Sequence, residues 1–142
     1  MAPDFRPQQP GLRKLLGDLE AAIMEVVWDR PEGARMTVRE VHEALRESRD
    51  PAYTTVMTVM GNLAKKGVLA VEKAGVAYHY YAPMSREAFT EQAVGEVVSG
   101  LLDDFAAPAM AHFARALEGE GDDAAVLARL RAMIASAKKD QA

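Results

Sequence analysis

The sequence predicts a mostly α-helical protein: three short helices and a β-hairpin over residues 12–83, then a helical arm over residues 84–142. Three observations carry this. Apolar residues recur at three- and four-residue steps in three consecutive segments between Gly17 and Lys66. The period drops to two just after Gly67. From Ser85 onward, apolar stripes at helical spacing return with little polar chemistry beside them. Residues 1–11 hold three prolines and two glutamines and are expected to be a disordered lead-in.

The first helix is expected in 17-GDLEAAIMEVVWDR-30. Asp18 reads as its N-cap, and Leu19, Ile23, Met24, Val27 and Trp28 form the apolar stripe. Pro31 and Gly33 end it. In 37-TVREVHEALRES-48, the T-x-x-E pattern of Thr37 and Glu40 is a capping box, followed by Val38, Val41, His42 and Leu45 on one face. Asp50 and Pro51 break the chain before the third helix, 52-AYTTVMTVMGNLAKKGVL-69, which Gly67 stops. Two short strands are expected from Val68 to Lys73 and from Val76 to Ala82, around an Ala74-Gly75 turn, with Tyr78 and Tyr80 on one face. Pro83 closes the unit. This order of elements is the winged helix-turn-helix plan, in which helices two and three are the turn-linked pair and the hairpin is the wing.

In the arm, Phe89, Ala93, Val94, Val97, Val98, Leu101, Leu102 and Phe105 form a stripe wide enough for a helix with a partner on that side. A second helical segment, 109-AMAHFARALEG-119, leads to a turn at 119-GEGDD-123. A last helix is expected from Asp123 to Lys139, with Val126, Leu127, Leu130, Met133 and Ile134 apolar, acids at its start and lysines at its end. Much apolar area and little chemistry make this a dimerisation arm. Its expected contacts are Phe89, Val94, Val97, Val98, Leu101, Leu102, Phe105, Leu127, Leu130 and Ile134.

Composition narrows the function. With 142 residues, 49% hydrophobic and 27% charged, the chain fits one small domain with an appendage. No apolar run approaches 18 residues, so no membrane insertion is expected, and 1-MAPDFRPQQPGLRK-14 lacks the apolar core of a signal peptide. A cytoplasmic location follows as the expectation. The absence of cysteine removes thiolate chemistry, and His42, His79 and His112 share no metal-ligand spacing. Ser48, Ser85, Ser99 and Ser136 lie in no nucleophile-elbow context. No enzyme, cofactor or metal site is therefore expected. The net charge of −4 falls wholly on residues 84–142, because residues 1–83 balance 11 Lys and Arg with 11 Asp and Glu. An acidic protein can still bind DNA when its neutral half presents a local basic strip.

The third helix is where such a strip lies. Thr54, Thr55, Val56, Thr58 and Val59 are β-branched and Gly61 is a weak helix former, at a cost of about 1 kcal/mol relative to Ala. No acid stands between Ala52 and Val71. At about 100° per residue, Val56, Val59, Met60 and Leu63 share one side, and Thr54, Thr58, Gly61, Asn62 and Lys65 the other. Thr55 and Lys66 flank that outward arc, and Met57 sits between the two. Small, hydroxylic, amidic and cationic groups suit a DNA major groove: threonine methyls meet thymine methyls, hydroxyls reach phosphates or base edges, and an amide can read adenine. Lys65 and Lys66 suit phosphates. Tyr53 serves equally as a core residue or a phosphate contact. For Arg39, Arg46 and the wing's Lys73, a backbone contact and a solvated surface charge are both open.

Together, L-G-D-L-E…M-x-x-x-W, T-V-R-E-V-H, A-Y-T-T-V-M-T-V-M…L-A-K-K-G and Y-x-Y-x-A-P resemble the BlaI/MecI/CopY family of bacterial repressors over roughly residues 12–139. The resemblance implies a homodimeric winged-helix repressor on palindromic operator DNA of the TACA…TGTA kind. Carried over by position, its DNA-contacting set falls on Tyr53, Thr54, Thr55, Met57, Thr58, Asn62, Lys65 and Lys66, and Lys73 of the wing adds a candidate. Three departures are visible. Asn62 stands where the family usually has Arg. The paired C-terminal cysteines of copper-responsive members are missing. Where β-lactam-responsive members are cut at an Asn-Phe bond, this chain has His112-Phe113, which keeps the phenylalanine alone. A membrane-embedded sensor protease is the partner that this position implies.

Two other readings compete. A winged helix used only for protein contacts has no reason to exclude acids from its third helix. A ligand-responsive repressor would bind a small molecule between its arms, within 89-FTEQAVGEVVSGLLDDF-105, although that tract reads first as helix-on-helix core.

Overall fold

The computed structural model describes residues 5–117, together with positions 128 and 132. The chain divides into two compact units, residues 1–97 and 98–142. Among the described residues, four α-helices and one hairpin follow in order: α1 (Asp18–Trp28), α2 (Val38–Leu45), α3 (Tyr53–Lys65), β1 (Ala70–Ala74), β2 (Ala77–Tyr81) and α4 (Arg86–Leu117). The winged helix-turn-helix plan read from the sequence is the one observed. Among the described residues, no helix is long and apolar enough to cross a membrane.

The first unit is built around the inner faces of α1, α2 and α3. Ile23, Met24, Val41, Val56, Met60 and Leu63 are all fully buried there, as their spacing predicts. At about 1.5–3 kcal/mol for each such side chain, this face outweighs the weak helix propensity of α3. Before α1, the described part of the lead-in is hydrogen-bonded rather than loose. The Arg6 N–H donates to the Lys14 carbonyl at 2.7 Å, and a 3-10 turn over Gly11–Lys14 buries Leu12.

Local chemistry accounts for the ends of the helices. Gly17, not Asp18, caps α1: its N–H donates to Glu20 Oε1 at 2.9 Å, and Asp18 is the first helical residue. The Asp18 carboxylate is engaged by Arg49 at 2.8 Å and Arg13 at 3.1 Å, and the Arg49 hydrogen bond holds it below the usual carboxylate range. The capping box of α2 forms as read, with Glu40 N–H on Thr37 Oγ1 at 3.2 Å and Thr37 N–H on Glu40 Oε1 at 3.1 Å. Gly67, at φ +80°, ends α3 and lets Val68 and Leu69 donate back to the Leu63 carbonyl.

The wing pairs Ala70 with Tyr81 through Ala74 with Ala77, which leaves Gly75 and Val76 as the turn. That is one residue later than the Ala74-Gly75 turn expected. Only Gly75 has positive φ (+65°), the backbone that a two-residue II′ hairpin requires at its first position. A single bridge joins Met36 to Tyr80, each N–H donating to the other's carbonyl at 2.8 Å. The Arg35 guanidinium lies 3.8 Å over the Tyr81 ring and 3.0 Å from Glu72. These contacts hold the loop before α2 to the wing.

The first unit extends beyond Pro83 because the start of α4 is part of its core. Phe89 and Ala93 are buried, and Phe89 packs on Trp28 with ring centroids 5.5 Å apart. The Trp28 indole N–H donates to the Met84 carbonyl at 3.1 Å. Phe89 was expected at the dimer interface. It is instead a core residue, because at 5% exposure it has almost no surface left for a partner. Ser85 opens α4 by accepting the Ala88 N–H at 3.1 Å.

As expected of two successive segments, α4 is two helices that meet at a kink at Phe105 (φ −136°, ψ 44°), the second running to Leu117. Pro108 explains it: proline has no N–H for the carbonyl of Asp104, and its ring crowds that carbonyl. Of the arm residues named above, Val94, Val98, Leu101, Leu102 and Phe105 are exposed and Val97 is half-buried. Leu127, Leu130 and Ile134, with the rest of the expected last helix apart from positions 128 and 132, lie outside the described residues.

Candidate nucleic-acid interface

The outward face of α3 is built by the burial of its other side. With Val56, Met60 and Leu63 fixed in the core, Thr54, Thr55, Met57, Thr58, Asn62 and Lys65 are all left exposed. A Cβ built at Gly61 would meet nothing within 4 Å, so the missing side chain leaves backbone open to an approaching molecule. The Thr58 hydroxyl donates to the Thr54 carbonyl at 3.0 Å. Its hydrogen is therefore used inside the helix, and its methyl and remaining lone pair face outward.

The start of α3 is open as well. Ala52 is its N-cap and provides no side-chain hydrogen bond, and its first turn contains no acid. α1 and α2 each place a glutamate carboxylate at this end; α3 leaves its first N–H groups and the positive end of its dipole without one. That is the local chemistry that favours a phosphate.

Tyr53, at the first turn, is 45% exposed, so it belongs to the surface and not to the core. His42 sets its position. The two rings meet edge-to-face, with centroids 5.6 Å apart and planes at 83°. His42 Nε2 lies 3.0 Å from the Pro51 carbonyl oxygen, which can only accept, so Nε2 carries the hydrogen. Sequence reasoning placed His42 beside the core and gave it no role. The only signal for this one is spatial, since Tyr53 is brought to it by the turn between α2 and α3.

The two lysines at the end of α3 differ. Lys65 is exposed and takes part in none of the ion pairs among the described residues. Lys66 is 2.8 Å from Glu20 of α1. Lys73 lies on the wing, apart from α3, with its ammonium 5.8 Å from the centroid of the exposed Tyr78 ring. Val76 at the wing tip is 97% exposed. Arg39 and Arg46 are exposed on α2. The structure thus exposes Tyr53, Thr54, Thr55, Met57, Thr58, Asn62 and Lys65 along α3, ties Lys66 to Glu20 and leaves Lys73 on a separate element.

Comparison with known proteins places the chain in a family. Two curated relatives, each named Transcriptional regulator BlaI, come from Mycobacterium tuberculosis strains CDC 1551 / Oshkosh and ATCC 25618 / H37Rv. Each is 47% identical to this chain over 94 residues, which is 66% of this chain and 61% of the relative. The match therefore spans about three fifths of the relatives' length. Among solved structures, the DNA-binding domain of the repressor BlaI is similar at 25% identity and a TM-score of 0.44, covering 50% of this chain and 83% of that one. The family model described as Penicillinase repressor matches residues 16–135, the greater part of the sequence. The chain belongs to the penicillinase repressor family.

Proposed function

We propose that the chain is a sequence-specific transcriptional repressor that binds palindromic operators of the TACA…TGTA type as a homodimer. The observation that carries this reading is α3: acid-free, uncapped, and exposing Thr54, Thr55, Thr58, Asn62 and Lys65 from a winged-helix unit. Threonine and asparagine read base edges and methyl groups, while Lys65, the helix N-terminus and Lys73 of the wing anchor phosphates. Met57 and Tyr53 add apolar contact at the rim of that face. Such a repressor acts in the cytoplasm, where its DNA is.

The homodimer is supported by the second unit. Its described residues line an apolar groove of about 710 Å³ that includes Val98, Leu101, Leu102, Phe105 and Phe113. Phe105 is 60% exposed and Phe113 49%. Contiguous apolar surface of this kind is normally covered, and a second copy brings the same stripe. Induction would cut the chain at His112-Phe113, through a membrane-embedded sensor protease. Both residues are exposed on α4, one turn after Pro108, where the helix lacks a backbone hydrogen bond. The same groove supports a second reading, in which a small apolar molecule enters the dimer and releases DNA.

Fluorescence anisotropy on a TACA…TGTA duplex and on a scrambled duplex tests the proposal. A preference for the palindrome of ~10³ or more is expected, with a steep salt dependence. Thr58→Ala should reduce the preference by roughly 5- to 100-fold and leave the salt slope alone, as removal of a base-reading group does. Equal, weak binding to both duplexes would reject the operator, and protein-only partners would then take its place. A fragment ending at His112 in induced cells is the expected product of cleavage; its absence would leave release to a ligand.

A further inference from the structure

Lys66 is the C-cap residue of α3, next to the exposed Lys65, and its position in the sequence assigns it to phosphate. Its ammonium is instead committed within the protein, 2.8 Å from Glu20 Oε2. Glu20 lies 46 positions earlier, on α1. Its side chain is only 15% exposed, and its other oxygen accepts the Gly17 N–H. One carboxylate thus closes the start of α1 and holds the end of α3. Burial would raise the Glu20 carboxyl, but the hydrogen bonds from Lys66 and from the Gly17 N–H prevail and keep it below its ordinary range.

We propose that Glu20 is a positioning residue for DNA recognition, fixing the C-terminal end of α3 through Lys66, so that Lys65 and not Lys66 anchors the phosphate. This rests on the DNA-binding reading above. Drawing Lys66 out to a phosphate would take from a mostly buried carboxylate the cation that hydrogen-bonds it, leaving only the longer-range charge of Arg6 among the cations that lower it, and breaking one half of such a pair is costly. Lys65 faces no such cost, being exposed and outside the ion pairs among the described residues. The two lysines are therefore separable by salt. A cation that neutralises DNA phosphate displaces a counterion, whereas one that already neutralises a carboxylate contributes nothing to the slope.

The test uses the full chain and the TACA…TGTA duplex, with affinity measured across a salt series. Lys65→Met should make the slope of log K against log salt shallower by about 0.9 for each phosphate that Lys65 neutralises. Lys66→Met should weaken binding by about 3- to 10-fold without changing the slope, and Glu20→Gln should weaken it similarly. The double variant should bind no more weakly than either single one, because both remove the same ion pair. Should Glu20→Gln fail to fold, the slope for Lys66→Met still decides. A slope flattened by Lys66→Met as much as by Lys65→Met, or binding tightened by Glu20→Gln, would overturn the proposal. Wild-type protein that binds no duplex is a separate result: it removes the DNA-binding reading, and this proposal with it.

Discussion

α2 and α3 are neighbours in one unit and are built on opposite local rules. α2 begins with a reciprocal Thr37–Glu40 capping box and carries an acid in its first turn. α3 begins at Ala52 with no side-chain cap and has no acid at all. Both are anchored in the same core, α2 by Val41 and Leu45 and α3 by Val56, Met60 and Leu63. The difference between them is therefore not how well they are packed. α2 makes its own end stable, while α3 leaves its end bare and depends on the core. Under the proposed DNA-binding function that bare end suits a phosphate, which a capping carboxylate would repel.

If packing is what the two helices share, truncating either anchor should have the largest effect. Leu45→Ala and Leu63→Ala should each lower stability by about 2–5 kcal/mol in chemical denaturation, with little difference between the helices. A loss below about 1 kcal/mol at Leu63 would mean that α3 is held by something other than its core face.

The caps should separate the helices. Thr37→Ala should cost about 1 kcal/mol, because the Glu40 N–H loses its acceptor. Ala52→Asp should do the reverse. Its backbone already has the extended conformation of an N-cap (φ −64°, ψ 143°), so a carboxylate there should stabilise α3 by up to about 1 kcal/mol. The same variant should bind the operator duplex more weakly, since it adds negative charge at the open helix end. Gain of stability with undiminished DNA affinity would break the comparison.

The smallest effect should be the acid dependence of the α2 cap. The Thr37 N–H holds the Glu40 carboxyl below its ordinary value. A carboxyl that is lowered on folding contributes stability above its unfolded pKa and loses it as pH falls through the folded one. Wild-type stability should therefore decline on acidification more steeply than that of Glu40→Gln. Parallel pH profiles for the two proteins would show that the capping carboxylate adds nothing.

Much of this was legible in the residues. The T-x-x-E signal placed the start of α2, Gly67 placed the end of α3, and the wheel of α3 separated its buried from its exposed side correctly. The misreadings share one cause. Asp18 was expected to cap α1 because aspartate is the stronger N-cap, yet Gly17 takes that position and Asp18 is drawn to Arg13 and Arg49. Phe89 fits the stripe of the arm, but Trp28, 61 residues earlier, claims it for the core. Periodicity shows that a residue is apolar on a given face and does not show which surface covers it.

By itself the sequence determined the order and type of the elements in the first unit, the side of α3 that faces out, and the acid-free character of that side. These depend on local spacing and on residue type, which are fixed along the chain. Tertiary structure alone decided that Glu20 engages Lys66, that His42 positions Tyr53, and that Phe89 belongs to Trp28. Glu20 and Lys66, like Trp28 and Phe89, are tens of residues apart, and no helical or strand period reaches that far. His42 and Tyr53 are closer but lie on different helices, across the turn that ends at Ala52. Each contact exists because core packing brought two elements together, so each could be read only once the elements were in place.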